Sequence, residues 1–148
     1  MTYSIIDCDT HITEPPDVWT ARVAKKYLDQ VPTVQRDDEG RDIWVLDGAR
    51  VYTVGMTAVA GWPKPFPDGP PTYETMHPAA YDPHARLRYM DDVGIWAQVL
   101  YPNVAGFGSQ RFLQIQDDAL KLVCVRAYND FLRDWASPDP RRLITICS

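Results

Sequence analysis

The stretch "YDPHARLRYMDDVGIWAQVLYP", residues 81 to 102, decides the class of fold. Asp82 suits the residue that accepts a hydrogen bond from an opening helical turn. Pro83 suits the first helical position, and Gly94 suits the residue just past the last turn, where a left-handed backbone is needed. Between them Leu87 and Met90 form an inner stripe, while Arg86, Arg88, Asp91 and Asp92 read as the solvated face. "IWAQVLY", residues 95 to 101, is then a mostly apolar run stopped by Pro102, which reads as a buried strand. A helix feeding a buried strand predicts further strands and helices in alternation on either side.

Both sides supply them. Upstream, "YSIIDC", residues 3 to 8, is a short apolar run bounded by polar turn formers and reads as a strand. In "DVWTARVAKKYLDQ", residues 17 to 30, Trp19, Val23 and Tyr27 recur every four positions, which predicts a short helix capped by Asp17. Residues 43 to 54, "IWVLDGARVYTV", place two strand-like runs around Asp47-Gly48, the dipeptide of a two-residue hairpin turn. Downstream, Leu120, Val123, Cys124, Ala127, Phe131 and Trp135 keep 3-and-4 spacing within a long predicted helix at 115 to 136. "PDPRR" stops it and "LITICS" opens a third strand. Helices separating apolar strands imply parallel pairing, hence an α/β protein.

The 148 residues suffice for one ordinary domain, and 45% hydrophobic against 24% charged content is that of a soluble globular chain. A formal charge of −5 argues against nucleic acid and anionic membranes as partners, since phosphate binding needs clustered Lys and Arg. No run approaches the roughly 18 apolar residues of a membrane span, and the N-terminus lacks the regions of a signal peptide. Cys8, Cys124 and Cys147 have neither paired spacing nor an even count, and read as reduced thiols of a cytoplasmic protein. More than half of the 13 prolines fall between residues 62 and 83, so this region is a long loop or an ordered insertion. Trp62, Phe66 and Tyr73 within it argue against simple disorder.

The chemistry concentrates in "IIDCDTHITEPPDVW", residues 5 to 19. Alternate residues of an extended segment face one side, which would place Asp7, Asp9 and His11 together. Asp9 and His11 then stand at the C-terminal end of the strand, where parallel sheets keep their chemistry. A carboxylate and an imidazole that reach one point about 2 Å from each are half of a divalent-metal site. The same string also reads as a strand end fraying into a polar turn, with Asp9 capping and His11 solvated.

This motif, with "YDPHARLRYMDDVGIWAQVLYPN" and "AYNDFLRDWASPDPRRLITI", resembles the amidohydrolase-related superfamily. The similarity is to the branch that contains aminocarboxymuconate-semialdehyde decarboxylase and the resorcylate-type decarboxylases. The resemblance implies the N-terminal part of a metal-dependent (β/α)8 barrel: about three strands with helices and an inserted β-hairpin. Residues 1–148 would form one partial barrel domain carrying the hairpin at 43–54 and a proline-rich insertion at 57–81. Asp9 and His11 would correspond to the paired ligands at the end of the first barrel strand, holding one divalent ion. Zn²⁺ suits the mixed donors, and the carboxylate in place of a histidine shifts preference toward Mn²⁺. Many members have His-x-His at these positions, so Asp9 leaves metal and reaction branch open. The remaining ligands and the general acid or base are expected beyond residue 148. A (β/α)8 barrel takes about 250 residues, so the chain is expected to be the first portion of a longer enzyme.

Around the pair, Asn103 and Phe107 are expected at the same rim as substrate contacts. Glu14 is either an acid orienting His11 through its other nitrogen or a loop carboxylate ahead of Pro15. Asp7, deeper in the strand, is expected to make structural hydrogen bonds, and His84 to be solvated. His77 would near the site if the proline-rich segment folds over it as a lid. The expected function is a metal-dependent hydrolase or non-oxidative decarboxylase of a small cyclic or aromatic carboxylate. The alternative is a non-catalytic chain that completes its sheet by self-association. In either case a homo-oligomer is expected.

Overall fold

A computed structural model of the protein describes residues 4–106 and 110–148. In chain order its elements are β1 (Ile5–His11), β2 (Thr33–Arg36), β3 (Asp42–Leu46), β4 (Ala49–Thr53), α1 (Pro83–Val93), β5 (Ile95–Tyr101), α2 (Asp118–Ala136) and β6 (Leu143–Thr145). β1, β5 and β6 form a parallel sheet in the order β1-β5-β6, and β2, β3 and β4 a separate antiparallel one. The α/β class read from residues 81 to 102 is what the chain adopts.

Local signals set α1. Asp82 Oδ1 accepts from the Ala85 N–H at 2.8 Å, and Gly94 closes the helix at φ 77°. The predicted hairpin forms between β3 and β4, with Asp47 and Gly48 both at positive φ (51° and 71°), as a mirror-image two-residue turn requires. β2 was not foreseen; it pairs with β3, so its existence depends on a partner rather than on its own polar sequence. α2 starts at Asp118, later than the periodicity placed it, because Asp117 is the cap and accepts from Ala119 N and Leu120 N.

Residues 17 to 30 are not a helix. They fold as successive turns with one short 3₁₀ turn at Lys25–Tyr27. Pro15 and Pro16 withhold two N–H donors at the entry. Val18 and Trp19, consecutive in sequence, are both fully buried, whereas a surface helix buries only one stripe. Trp19 anchors the core: it stacks on Tyr128 with centroids 5.5 Å apart, meets Trp44 and Phe112 edge-on, and donates from Nε1 to the Cys124 carbonyl at 3.1 Å.

The proline-rich insertion is ordered against the hairpin sheet. Asp42 donates its N–H to Pro71 O and accepts from Tyr73 N, and Arg36 pairs with its carboxylate at 2.8 Å. Gly55, just after β4, lies so close to the insertion that a Cβ there would sit 1.8 Å from the Pro70 carbonyl oxygen.

β1, the strand read from residues 3 to 8, leaves much of its apolar surface open. It is an edge strand, and Ile5 and Ile6 are 54% and 50% exposed. Trp96, Ile144 and Ile146 are exposed as well. Among the described residues no helix is long and apolar enough to cross a membrane.

Candidate active site

The end of β1 is shaped by an irregularity. Asp7 pairs with Gln98, but Thr10 pairs with Leu100 and His11 with Tyr101, so Cys8 and Asp9 together oppose a single residue, Val99. This is the arithmetic of a β-bulge, which breaks simple alternation and re-aims the side chains beyond it. Paired residues of a parallel ladder share a face. Asp7 therefore goes with Gln98, while His11 goes with Tyr101, whose ring lies 6.0 Å away. Alternation alone does not bring Asp7, Asp9 and His11 together. They meet instead as walls of one cleft of about 550 Å³, to which His77, Arg86 and Gln98 also contribute.

Arg86, expected on the solvated face of α1, is 6% exposed. Its Nε donates to Ala79 O. Its Nη1 donates to Gln98 Oε1 at 3.0 Å and Thr10 Oγ1 at 3.5 Å, and its Nη2 to His11 O at 3.0 Å and Ala80 O at 3.5 Å. All five guanidinium N–H groups are thus engaged, which is how a buried cation is tolerated. Burial pulls its pKa down to about 10, against the opposing pull of the Asp7 carboxylate, and the group stays charged at neutral pH. Gln98 joins the two: it accepts from Arg86 and donates from Nε2 to Asp7 Oδ2 at 3.0 Å. Asp7 Oδ1 in turn accepts the Asp9 N–H at 3.2 Å. The structural hydrogen-bonding role expected of Asp7 is what it performs.

Glu14 is fully buried on the core side of the loop after β1. Its Oε1 accepts from Asn103 N at 2.8 Å, Val104 N at 3.0 Å and Tyr128 Oη at 2.8 Å. Burial raises its pKa, with those hydrogen bonds opposing the rise. Tyr73 Oη donates to its backbone carbonyl. Asn103 is 9% exposed and its Nδ2 donates to Ile12 O at 2.6 Å, so this amide also ties the loop after β5 to the loop after β1. Phe107 lies outside the described residues. His84 is exposed.

His77 arrives from the proline-rich insertion and lines the cleft. Its Nδ1 accepts the Ala79 N–H at 3.1 Å, which leaves the proton of the neutral ring on Nε2, and the ring packs against Tyr89. Sequence reasoning missed Arg86 and Gln98. The signal for them was weak: Arg86 stands beside Leu87 of the predicted inner stripe, and Gln98 lies within the run predicted to be a buried strand.

By donor type, the Asp9 carboxylate and the His11 imidazole suit a divalent ion. Among the described residues no group of three or more His, Cys, Asp or Glu side chains could hold a metal ion, whereas catalytic sites usually take three protein ligands.

Neither family models nor curated proteins match this sequence. Among solved structures, the chain is similar to an amidohydrolase from Mycobacterium avium subsp. paratuberculosis K-10, with TM-score 0.67 and 21% identity over 99% of this chain. At that identity the likeness is one of fold: the chain follows the N-terminal part of an amidohydrolase (β/α)8 barrel. It spans 43% of that protein's length.

Proposed function

We propose that this chain carries the first part of the active site of a metal-dependent enzyme of the amidohydrolase superfamily, in its decarboxylase-like branch. The substrate would be a small cyclic or aromatic carboxylate, and the reaction its hydrolysis or non-oxidative decarboxylation. One observation carries the reading: Asp9 and His11 lie at the C-terminal end of a parallel strand whose backbone follows that of an amidohydrolase. In this reading they are paired ligands of one divalent ion, Zn²⁺ first and Mn²⁺ second, and further ligands come from residues other than those described. When bound, the ion would polarise a substrate carbonyl or carboxylate, or acidify a water. The chain's own residues would do the rest. Asn103 and Phe107 would border the substrate, and His77, with its proton on Nε2, would hydrogen-bond a substrate oxygen in the cleft. Glu14 would fix the loop that follows His11. We place the protein in the cytoplasm as a homo-oligomer.

The exposed Ile5, Ile6, Trp96 and Ile144 favour a second reading, a chain that associates with itself through its open sheet without catalysis. The test is the divalent-metal content of the purified protein by elemental mass spectrometry, beside an Asp9→Asn, His11→Ala double variant. Near-stoichiometric metal, lost in the variant, is expected. No metal in the wild type after incubation with Zn²⁺ or Mn²⁺ would refute the ligand pair.

A further inference from the structure

We infer that Arg86, acting through Gln98 and Asp7, is the positioning residue that fixes the backbone of both candidate ligands, Asp9 and His11. The inference rests on the reading of those two residues as ligands and assigns them the support that such residues need. A bulged edge strand is a poor platform by itself, because its outer side has no ladder partner among the described residues and its extra residue has no opposite number. The two ligands are nevertheless held at defined backbone atoms. The His11 carbonyl accepts from Arg86 Nη2 at 3.0 Å, and the Asp9 N–H donates to Asp7 Oδ1 at 3.2 Å.

These two contacts belong to one chain of hydrogen bonds. Arg86 Nη1 donates to Gln98 Oε1, and Gln98 Nε2 donates to Asp7 Oδ2, both at 3.0 Å. The Gln98 amide is polarised in one sense throughout, oxygen toward the cation and nitrogen toward the carboxylate, so each link strengthens the next. The remaining donors of Arg86 grip Ala79 O, Ala80 O and Thr10 Oγ1. They thereby lock the turn that carries His77 to the same strand end. With every donor spent inside the protein, Arg86 does not serve as a substrate anchor. Lysine cannot replace it, because three tetrahedral donors cannot span the flat arc that the guanidinium fork covers.

The test uses the full chain, metal-free and then titrated with Co²⁺, whose visible spectrum reports its ligands. The variants are Asp7→Ala and Arg86→Lys, with Asp92→Ala and Arg88→Lys on the exposed side of α1 as controls for charge. In the metal-free protein, Asp7→Ala is expected to shift the Asp9 amide proton resonance and Arg86→Lys the His11 carbonyl carbon, while the controls move neither. With Co²⁺, both variants are expected to lose about tenfold to hundredfold in affinity, the range seen when groups that orient metal ligands are removed. If Arg86→Lys does not fold, Asp7→Ala carries the test, since Asp7 is only half-buried. Unchanged Asp9 and His11 resonances in a folded Asp7→Ala or Arg86→Lys variant would overturn the inference. A wild type that binds no Co²⁺ would refute the ligand reading instead, and the metal-free resonances would still decide whether the network holds the bulge.

Discussion

Removing the Glu14 carboxylate should be among the most damaging single changes to this protein, and its cost should depend on pH in a definite direction. Oε1 satisfies three donors, the N–H groups of Asn103 and Val104 and the Tyr128 hydroxyl, in a place without solvent. Each of the three buried donors left unpaired costs about 1–3 kcal/mol, so Glu14→Ala is expected to lose about 3–9 kcal/mol. That is a large share of the roughly 5–15 kcal/mol by which domains are stable. Glu14→Gln keeps a carbonyl oxygen for the same donors and should cost far less. Burial raises the folded-state pKa of Glu14 above 4.5, so the folded protein holds this proton to higher pH than the unfolded chain does. Above pH 4.5 the folded state therefore binds more protons, and the contribution of Glu14 to stability falls as pH rises through the folded-state pKa. Each unit of that rise is worth about 1.4 kcal/mol. Asp118 and Asp134 are held below the usual carboxylate range by hydrogen bonds from Lys121 and Arg22, and titrate at lower pH. Urea unfolding followed by tryptophan fluorescence suits the purpose, because Trp19 stacks on Tyr128. At pH 5 the wild type should exceed Glu14→Gln in stability by more than it does at pH 8. A cost below about 1 kcal/mol for Glu14→Ala, or parallel pH curves for wild type and Glu14→Gln, would refute the reasoning.

Two further outcomes follow from packing. Gly55→Ala forces a methyl against the Pro70 carbonyl, so it should destabilise by about 1–3 kcal/mol in thermal unfolding by prying the proline-rich insertion from the hairpin sheet. Equal melting temperatures would show that no such contact exists. Burial pushes the Cys124 thiol up to about 12, whereas Cys8 and Cys147 are exposed. A disulfide exchange reagent at pH 8 should titrate two thiols rapidly and the third only after unfolding, and three equally fast thiols would contradict the assigned core.

What could be read from the sequence was what residues decide with their near neighbours. Asp82, Pro83 and Gly94 bound α1 because a cap, a preset φ and a left-handed residue act within one turn. Asp47-Gly48 likewise makes its hairpin by its own backbone preferences. Residues 17 to 30 misled because their fourfold apolar repeat was real but answered to several partners at once: Trp19 is claimed by Tyr128, Trp44 and Phe112 on three sides. The candidate site divides in the same way. Asp9 and His11 stood out because their chemistry is carried by their own side chains. Arg86 did not, because three of the five groups it satisfies are backbone carbonyls, at His11, Ala79 and Ala80, and every sequence presents carbonyls alike. A cation on a helix reads as solvated until the fold brings an unpaired set of carbonyls to it. The bulge at Cys8 and Asp9 was hidden for the same reason, since register is a property of two strands and β1 alone reads as regular. The support of the site is therefore written in pairings between segments about 75 to 91 residues apart, which a motif of a few residues does not contain.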